Sequence, residues 1–198
     1  MAAIAILAFL ALALIDYLWL PSRQVPAPPI PDYASQPGVG KRLPGLELEP
    51  LTGDGQPVTL EKLAGHVVVV NFWGTWCPPC RQEFPELAKL YAELGKNPGF
   101  RLLPVSCGAG RKDDPQELWK DTKEFLSGSG CEMPTYSDPN ETTRRAFDRV
   151  AGLQGFPTTF VMDRDGLIRG VWPGYGNGVV SEIKSLVERL LQAGPTSI

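Results

Sequence analysis

The chain is short of metal ligands. It has one histidine, His66, and four cysteines in 198 residues. Only Cys77 and Cys80 are closely spaced. A zinc ribbon needs a second such pair, so half of that motif is present and half is missing. Basic residues are not in excess either. Lys and Arg total 19 against 22 Asp and Glu, a net charge of −3, and their scatter leaves no electrostatic footprint for nucleic acid. There are no internal repeats, and no low-complexity block beyond one proline-rich stretch near the front. No Lys or Arg stands ahead of Arg23.

That last absence bears on the front of the chain. Ala2 to Leu20 is almost wholly apolar, broken only by Asp16, Tyr17 and Trp19. As a helix it would be roughly 28 Å long, close to the ~30 Å hydrocarbon core of a bilayer. Tyr17 and Trp19 would sit at the interface, with Asp16 reaching the headgroups. A cleaved signal peptide would show basic residues before the run and small residues at a cleavage site, and neither is present. Residues 1–20 therefore read as an uncleaved transmembrane signal anchor. Arg23, close behind the span, leans toward a cytoplasmic domain, whereas four cysteines lean toward an oxidising exterior. The expectation is an extracytoplasmic domain on a single-pass anchor in the cell membrane.

Residues 21–44 carry prolines at 21, 26, 28, 29, 31, 37 and 44, and read as a semi-rigid, extended linker. From residue 45 to 194 the pattern is that of one folded domain. Leu46–Leu48 and Pro57–Leu60 flank Thr52-Gly53-Asp54-Gly55, a hairpin signal. Residues 67–72 form a β-branched apolar run, 81–94 show helical periodicity, and 100–106 read as a strand. A helix is expected over Pro115–Leu126 with Gly128 beyond its end, then a short strand over 134–137. Asp138 is placed to cap a helix from Pro139 to Val150. Two strands, 158–162 and 167–171, are joined by Asp163-Arg164-Asp165-Gly166, and a final helix runs from Val179 to Gln192. Alternating elements of this kind make an α/β domain with a mixed sheet and helices on both faces.

The chemistry concentrates at Trp76-Cys77-Pro78-Pro79-Cys80. The 67–72 strand hands over to a helix there, so Cys77 stands at a helix N-terminus, where unpaired N–H groups and the dipole favour thiolate over thiol. Pro78 and Pro79 suit the first turn, whose N–H groups have no helical partner to lose. A redox dithiol is the reading; half a metal site and an inert staple are the alternatives.

Residues 45–192 closely resemble the thioredoxin superfamily, in its membrane-anchored TlpA/ResA-like branch with a redoxin/AhpC-TSA-like domain. The resemblance rests on Asn71-Phe72-Trp73-Gly74-Thr75-Trp76-Cys77-Pro78-Pro79-Cys80, on Gly155-Phe156-Pro157-Thr158-Thr159-Phe160, and on the element order. That order includes an N-terminal hairpin and a helix-plus-strand insertion at about 108–137. The resemblance implies a thioredoxin-like fold with Cys77 as an exposed nucleophile and Cys80 as the resolving thiol. It further implies a cis Pro157, a Phe156 backbone that pairs with a substrate strand, and Trp76 shielding the dithiol. Plain core packing is the alternative for Trp76. Asn71 replaces the acidic residue of classical thioredoxins, so Glu83 or water would have to accept the proton from Cys80; Glu83 as a solvated helix residue is the other option.

The resemblance also places Cys107 and Cys131 near each other in the insertion. A disulfide there would stabilise by roughly 3–4 kcal/mol on the chain-entropy model. A second redox couple and two unrelated buried thiols are the alternatives. The implied activity is reduction of disulfides in extracytoplasmic partner proteins, as in cytochrome c maturation or copper-site assembly. It would use no cofactor and no bound metal, and would draw on a transmembrane electron donor. Competing readings are a peroxiredoxin-type thiol peroxidase, for which the proline expected between Trp73 and Trp76 is missing, and a non-catalytic metal-binding or adaptor domain, for which only His66 offers an imidazole.

Overall fold

In the computed structural model the described residues are 32–110 and 114–193. The anchor expected at 1–20 and the first part of the linker lie outside them. Among the described residues no helix is long and apolar enough to cross a membrane.

The chain forms strands β1 (Glu47–Thr52), β2 (Val58–Thr59), β3 (Val67–Trp73), β4 (Phe100–Ser106), β5 (Thr135–Ser137), β6 (Thr158–Met162) and β7 (Ile168–Pro173). Its helices are α1 (Pro78–Leu94), α2 (Pro115–Ser129), α3 (Thr142–Ala151) and α4 (Val179–Gln192). One seven-stranded sheet runs in the order β2-β1-β5-β4-β3-β6-β7. It is mixed: β4 is parallel to β3 and β5, while β3–β6, β6–β7, β1–β5 and β1–β2 are antiparallel.

β3 lies inside this sheet and is buried along its whole length. Its residues alternate between faces, as a strand requires. Val67, Val69 and Trp73 join Phe84, Leu87, Ile183 and Val187 in a core beneath α1 and α4. Val68, Val70 and Phe72 join Ala146, Phe147 and Phe160 in a second core beneath α3. A strand with both faces covered reads as a continuous apolar run, which explains the valine string.

Three differences from the sequence reading bear on how the elements begin, end and pack. α2 continues past Gly128 to end at Gly130, whose φ of 64° supplies the left-handed cap that glycine adopts without penalty. α3 starts at Thr142 rather than Pro139. Asp138 still caps it, accepting from the backbone N–H of Thr143 and Arg144, but from a turn further back. The third difference concerns residues 32–44, which are not a spacer. They wrap the exposed edge of β7. Tyr33 O accepts from Val171 N, Lys41 O from Ile168 N, and Gly40 N donates to Ile168 O. Tyr33 stacks on Trp172 with ring centroids 4.6 Å apart, and Leu43 is buried. This strap occupies the edge donors and acceptors that would otherwise template foreign strands.

The insertion strand β5 is the bridge between core and hairpin, pairing with β4 on one side and β1 on the other. The two remaining cysteines flank this region without forming the expected disulfide. Cys107 and Cys131 are not bonded to one another. The reason is their side of the sheet. Cys131 packs into the α1–α4 core with Met133, and Cys107 into the α3 core with Val105 and Tyr136.

Replacing Tyr33 by Ala removes the stack on Trp172 and the strap's anchor. Urea denaturation should show a loss of about 1–3 kcal/mol. An unchanged midpoint would mean the strap is not part of the cooperative fold.

Candidate active site

The dithiol sits where β3 gives way to α1. Cys77 is the N-cap of α1, with extended backbone, and Pro78 and Pro79 are its first two residues. Both lack an N–H. The first donor the helix can offer is therefore Cys80 N, and it points to Cys77 Sγ at 3.3 Å. Cys77 and Cys80 are joined as a disulfide. The expectation of an exposed Cys77 needs correcting: it is 3% exposed, against 0% for Cys80. Its N-cap position turns the sulfur back over the helix start, into the cluster holding Trp73 and Phe84.

Two loops frame the sulfurs. Gly74 and Trp76 lie in the turn that leaves β3. The Trp76 indole N–H donates to Cys107 O at 2.9 Å, and Cys107 N donates to Trp73 O. A side chain at 74 would be impossible here, since a Cβ would lie 2.4 Å from Trp76 Nε1 and 2.7 Å from Cys107 O. Trp76 nevertheless remains 45% exposed, so plain core packing is not its role. On the other side the Phe156–Pro157 peptide is cis. Phe156 meets Trp76 edge to face, with centroids 5.5 Å apart. An open hollow of about 350 Å³ adjoins Phe156, lined by Leu153, Glu141, Arg144, Arg145 and Asp148. Together they make a surface with an apolar centre and a charged flank.

Beneath the dithiol lies a carboxyl group. Glu83 is one turn beyond Cys80 on α1 and is 1% exposed, which excludes the solvated alternative. Asn71 Nδ2 donates to Glu83 Oε2 at 2.9 Å and to Thr159 Oγ1 at 2.8 Å. Asn71 and Thr159 are register partners on β3 and β6, so the carboxyl rests across two strands. Asn71 thus holds an acid that it does not itself supply. Burial pushes the Glu83 carboxyl up to about 7, the hydrogen bonds from Asn71 and Thr159 pull it partly back, and the Glu86 charge adds to the rise. A group of that acidity can take a proton from a thiol near neutral pH and return it.

The sequence reading missed a neighbouring contact. Tyr175, after β7, donates its hydroxyl to Glu86 Oε1 at 2.6 Å, and that bond pushes the tyrosine pKa up to about 12. No motif marks it, because the two residues are 89 apart. Among the described residues no three His, Cys, Asp or Glu side chains gather as a metal site. His66 turns Nδ1 to Ala64 O.

The comparisons with known proteins agree with this geometry. The profile of the AhpC/TSA family matches residues 39–171. The chain belongs to that family. Relatives include the thiol:disulfide interchange protein DsbE of Allochromatium vinosum, 33% identical over 81% of this chain and 77% of the relative. Another is the thiol-disulfide oxidoreductase ResA of Bacillus subtilis, 30% identical over 68% of this chain and 67% of the relative. Among solved structures, a thioredoxin family thiol:disulfide interchange protein from Chlorobium tepidum TLS superposes with a TM-score of 0.59 at 25% identity. It covers 79% of this chain and 98% of that one. The fold is thioredoxin-like.

The buried acid carries a stability signature. With an ordinary carboxyl near 4.5 when unfolded and about 7 when folded, Glu83 favours folding while protonated. That contribution is complete below about pH 4.5 and is lost as pH rises through 7. Stability should therefore fall across this window by a term on the order of 3 kcal/mol. Denaturation of Glu83→Gln at a series of pH values should lack that term. If its slope matches the parent chain, the carboxyl does not titrate there.

Proposed function

We propose that the chain is a thiol–disulfide oxidoreductase that reduces disulfides of partner proteins. In this reading Cys77 attacks the partner's disulfide, forming a mixed disulfide and releasing one partner thiol. Cys80 then gives its proton to Glu83 and attacks Cys77, which frees the second partner thiol and leaves the Cys77–Cys80 disulfide. Trp76, Phe156 and Pro157 form the docking surface. With Cys77 so little exposed, a partner segment must be seated closely on that surface before its sulfur comes within reach.

The observation that carries the reading is a dithiol at a helix N-terminus with a buried carboxyl one turn beyond it on the same helix. The direction of electron flow is supported by Pro78 and Pro79. A helix start lowers a thiol's pKa by offering N–H groups to the thiolate, and here two of those donors are missing. A less stabilised thiolate means a less stabilised reduced form, which makes the couple a better reductant.

The apolar run at 2–20 supports a membrane tether, and the cysteines support a domain on the extracytoplasmic side. A reductant there needs its dithiol regenerated, and the source we infer is a transmembrane electron donor. Assembly of c-type cytochromes or of copper sites is the setting that the family resemblance suggests.

Two variants test this. Cys80→Ser should accumulate a mixed disulfide with a protein substrate, visible on non-reducing gels and absent from Cys77→Ser. Equal trapping by both would overturn the assignment of the nucleophile. Pro79→Ala restores one first-turn N–H, and equilibration with glutathione should show a potential higher by on the order of 30 mV, about 1.4 kcal/mol. A fall would contradict the role given to the prolines.

A further inference from the structure

The loop at Pro157 and the dithiol helix are linked through a third segment. Gly174 donates its N–H to Pro157 O at 2.8 Å, which fixes the stretch after β7 beside the cis-proline. The next residue, Tyr175, holds Glu86 Oε1 at 2.6 Å. Glu86 is one turn beyond Glu83 on α1, and side chains three apart on a helix lie side by side. So a half-buried carboxylate is clamped next to a sealed one.

What surrounds Glu83 makes this neighbour matter. β3 and β6 face it with the neutral Asn71 and Thr159. From its own helix come Glu86 and, one turn back, Cys80, and from the segment after β7 comes Tyr175. On α4, the Glu182 carboxylate is engaged by the Trp172 indole N–H at 3.0 Å, while Lys184 pairs with Glu93, well along α1 from the dithiol. Among the described residues no Lys or Arg forms an ion pair with Glu86, and Lys89, one turn on along α1, is exposed to solvent.

We propose that Glu86, clamped by the Tyr175 hydroxyl, is a positioning residue that tunes Glu83 as the proton acceptor for Cys80. The inference rests on the reading of Glu83 given above. In the resolving step the Cys80 S–H bond breaks and its proton goes to the Glu83 carboxylate. The Cys80 thiolate attacks Cys77 Sγ, the Cys77–partner S–S bond breaks, and the partner sulfur leaves with the electron pair. The proton then passes from Glu83 to that thiolate or to water. Two electrons move from the dithiol to the partner. An ionised Glu86 opposes a second negative charge on Glu83 and so makes it the stronger base, closer in strength to a thiolate. Without the Tyr175 clamp, Glu86 swings into solvent and its field is screened.

The test uses the full chain, reduced, with insulin disulfides as the probe in single turnover across pH 5–9. In Glu86→Gln the acid-side midpoint of the rate should fall by about half a unit to one unit. Tyr175→Phe should move it the same way by less. Glu93→Gln, which removes a carboxylate elsewhere on α1, should leave it in place. A midpoint in Glu86→Gln that coincides with the parent's, or an equal loss of rate at every pH, overturns the proposal. The carbon-13 titration of the Glu83 carboxyl in the oxidised chain, where the dithiol cannot titrate, gives the same answer without turnover. Its midpoint should be lower in Glu86→Gln, and an unmoved one overturns the proposal. Glu83→Gln separates the two claims. A flattened profile there with no shift in Glu86→Gln sinks this inference alone, whereas a parental profile in Glu83→Gln sinks the acceptor reading and this inference with it.

Discussion

The site depends on where β3 stops. Its last residues must place Asn71 under α1 and release the chain after Trp73, so that Cys77 caps the same helix. One strand, buried on both faces, therefore fixes the acid beneath the dithiol and the helix start above it. Parallel pairing with β4 and antiparallel pairing with β6 hold that strand on both sides. Rigidity of this kind keeps catalytic geometry within tolerance better than a loop would. The flanking turn is then set by two hydrogen bonds to Cys107, one through its N–H and one through its carbonyl.

The buried carboxyl runs against stability. An ionised group taken out of water costs free energy unless it is fully paired, and Glu83 has neutral donors only. Asn71 and Thr159 reduce that cost without removing it, and Asn71 Oδ1 itself finds no protein partner. A leucine or glutamine at 83 would serve the fold as well or better. Residues that break local rules in this way concentrate where chemistry needs them. The prolines between the cysteines are the counterpart on the sulfur side, since they withhold donors that would steady the thiolate.

Much of this was legible in the chain. β3, β4, α1 and α4 followed from apolar period and end signals, because each is long and packs a single continuous face. The dithiol and the Phe156–Pro157 segment were found by motif. Glu83 is a candidate acceptor on the sequence alone, and its burial could have been read too: it falls between Cys80, Phe84 and Leu87 on the buried face of α1, and helical spacing alone puts it there. The strap at 32–44 was hidden because proline content signals an extended chain and says nothing of what Tyr33 and Leu43 touch. The pairing of Cys107 and Cys131 turned on which face of the sheet each approaches, and a three-residue strand such as β5 has too little period to tell. Contacts between distant loops, such as Tyr175 with Glu86, leave no local trace at all.

The central claim is that this dithiol gives electrons away. The most direct measurement is the reduction potential of Cys77–Cys80 in the full chain, with Cys107 and Cys131 both replaced by Ser so that a single couple is read. The account predicts a value at or below about −230 mV, in the range of thioredoxin and the glutaredoxins. A value near about −120 mV would contradict it and make the protein an oxidant of partner thiols.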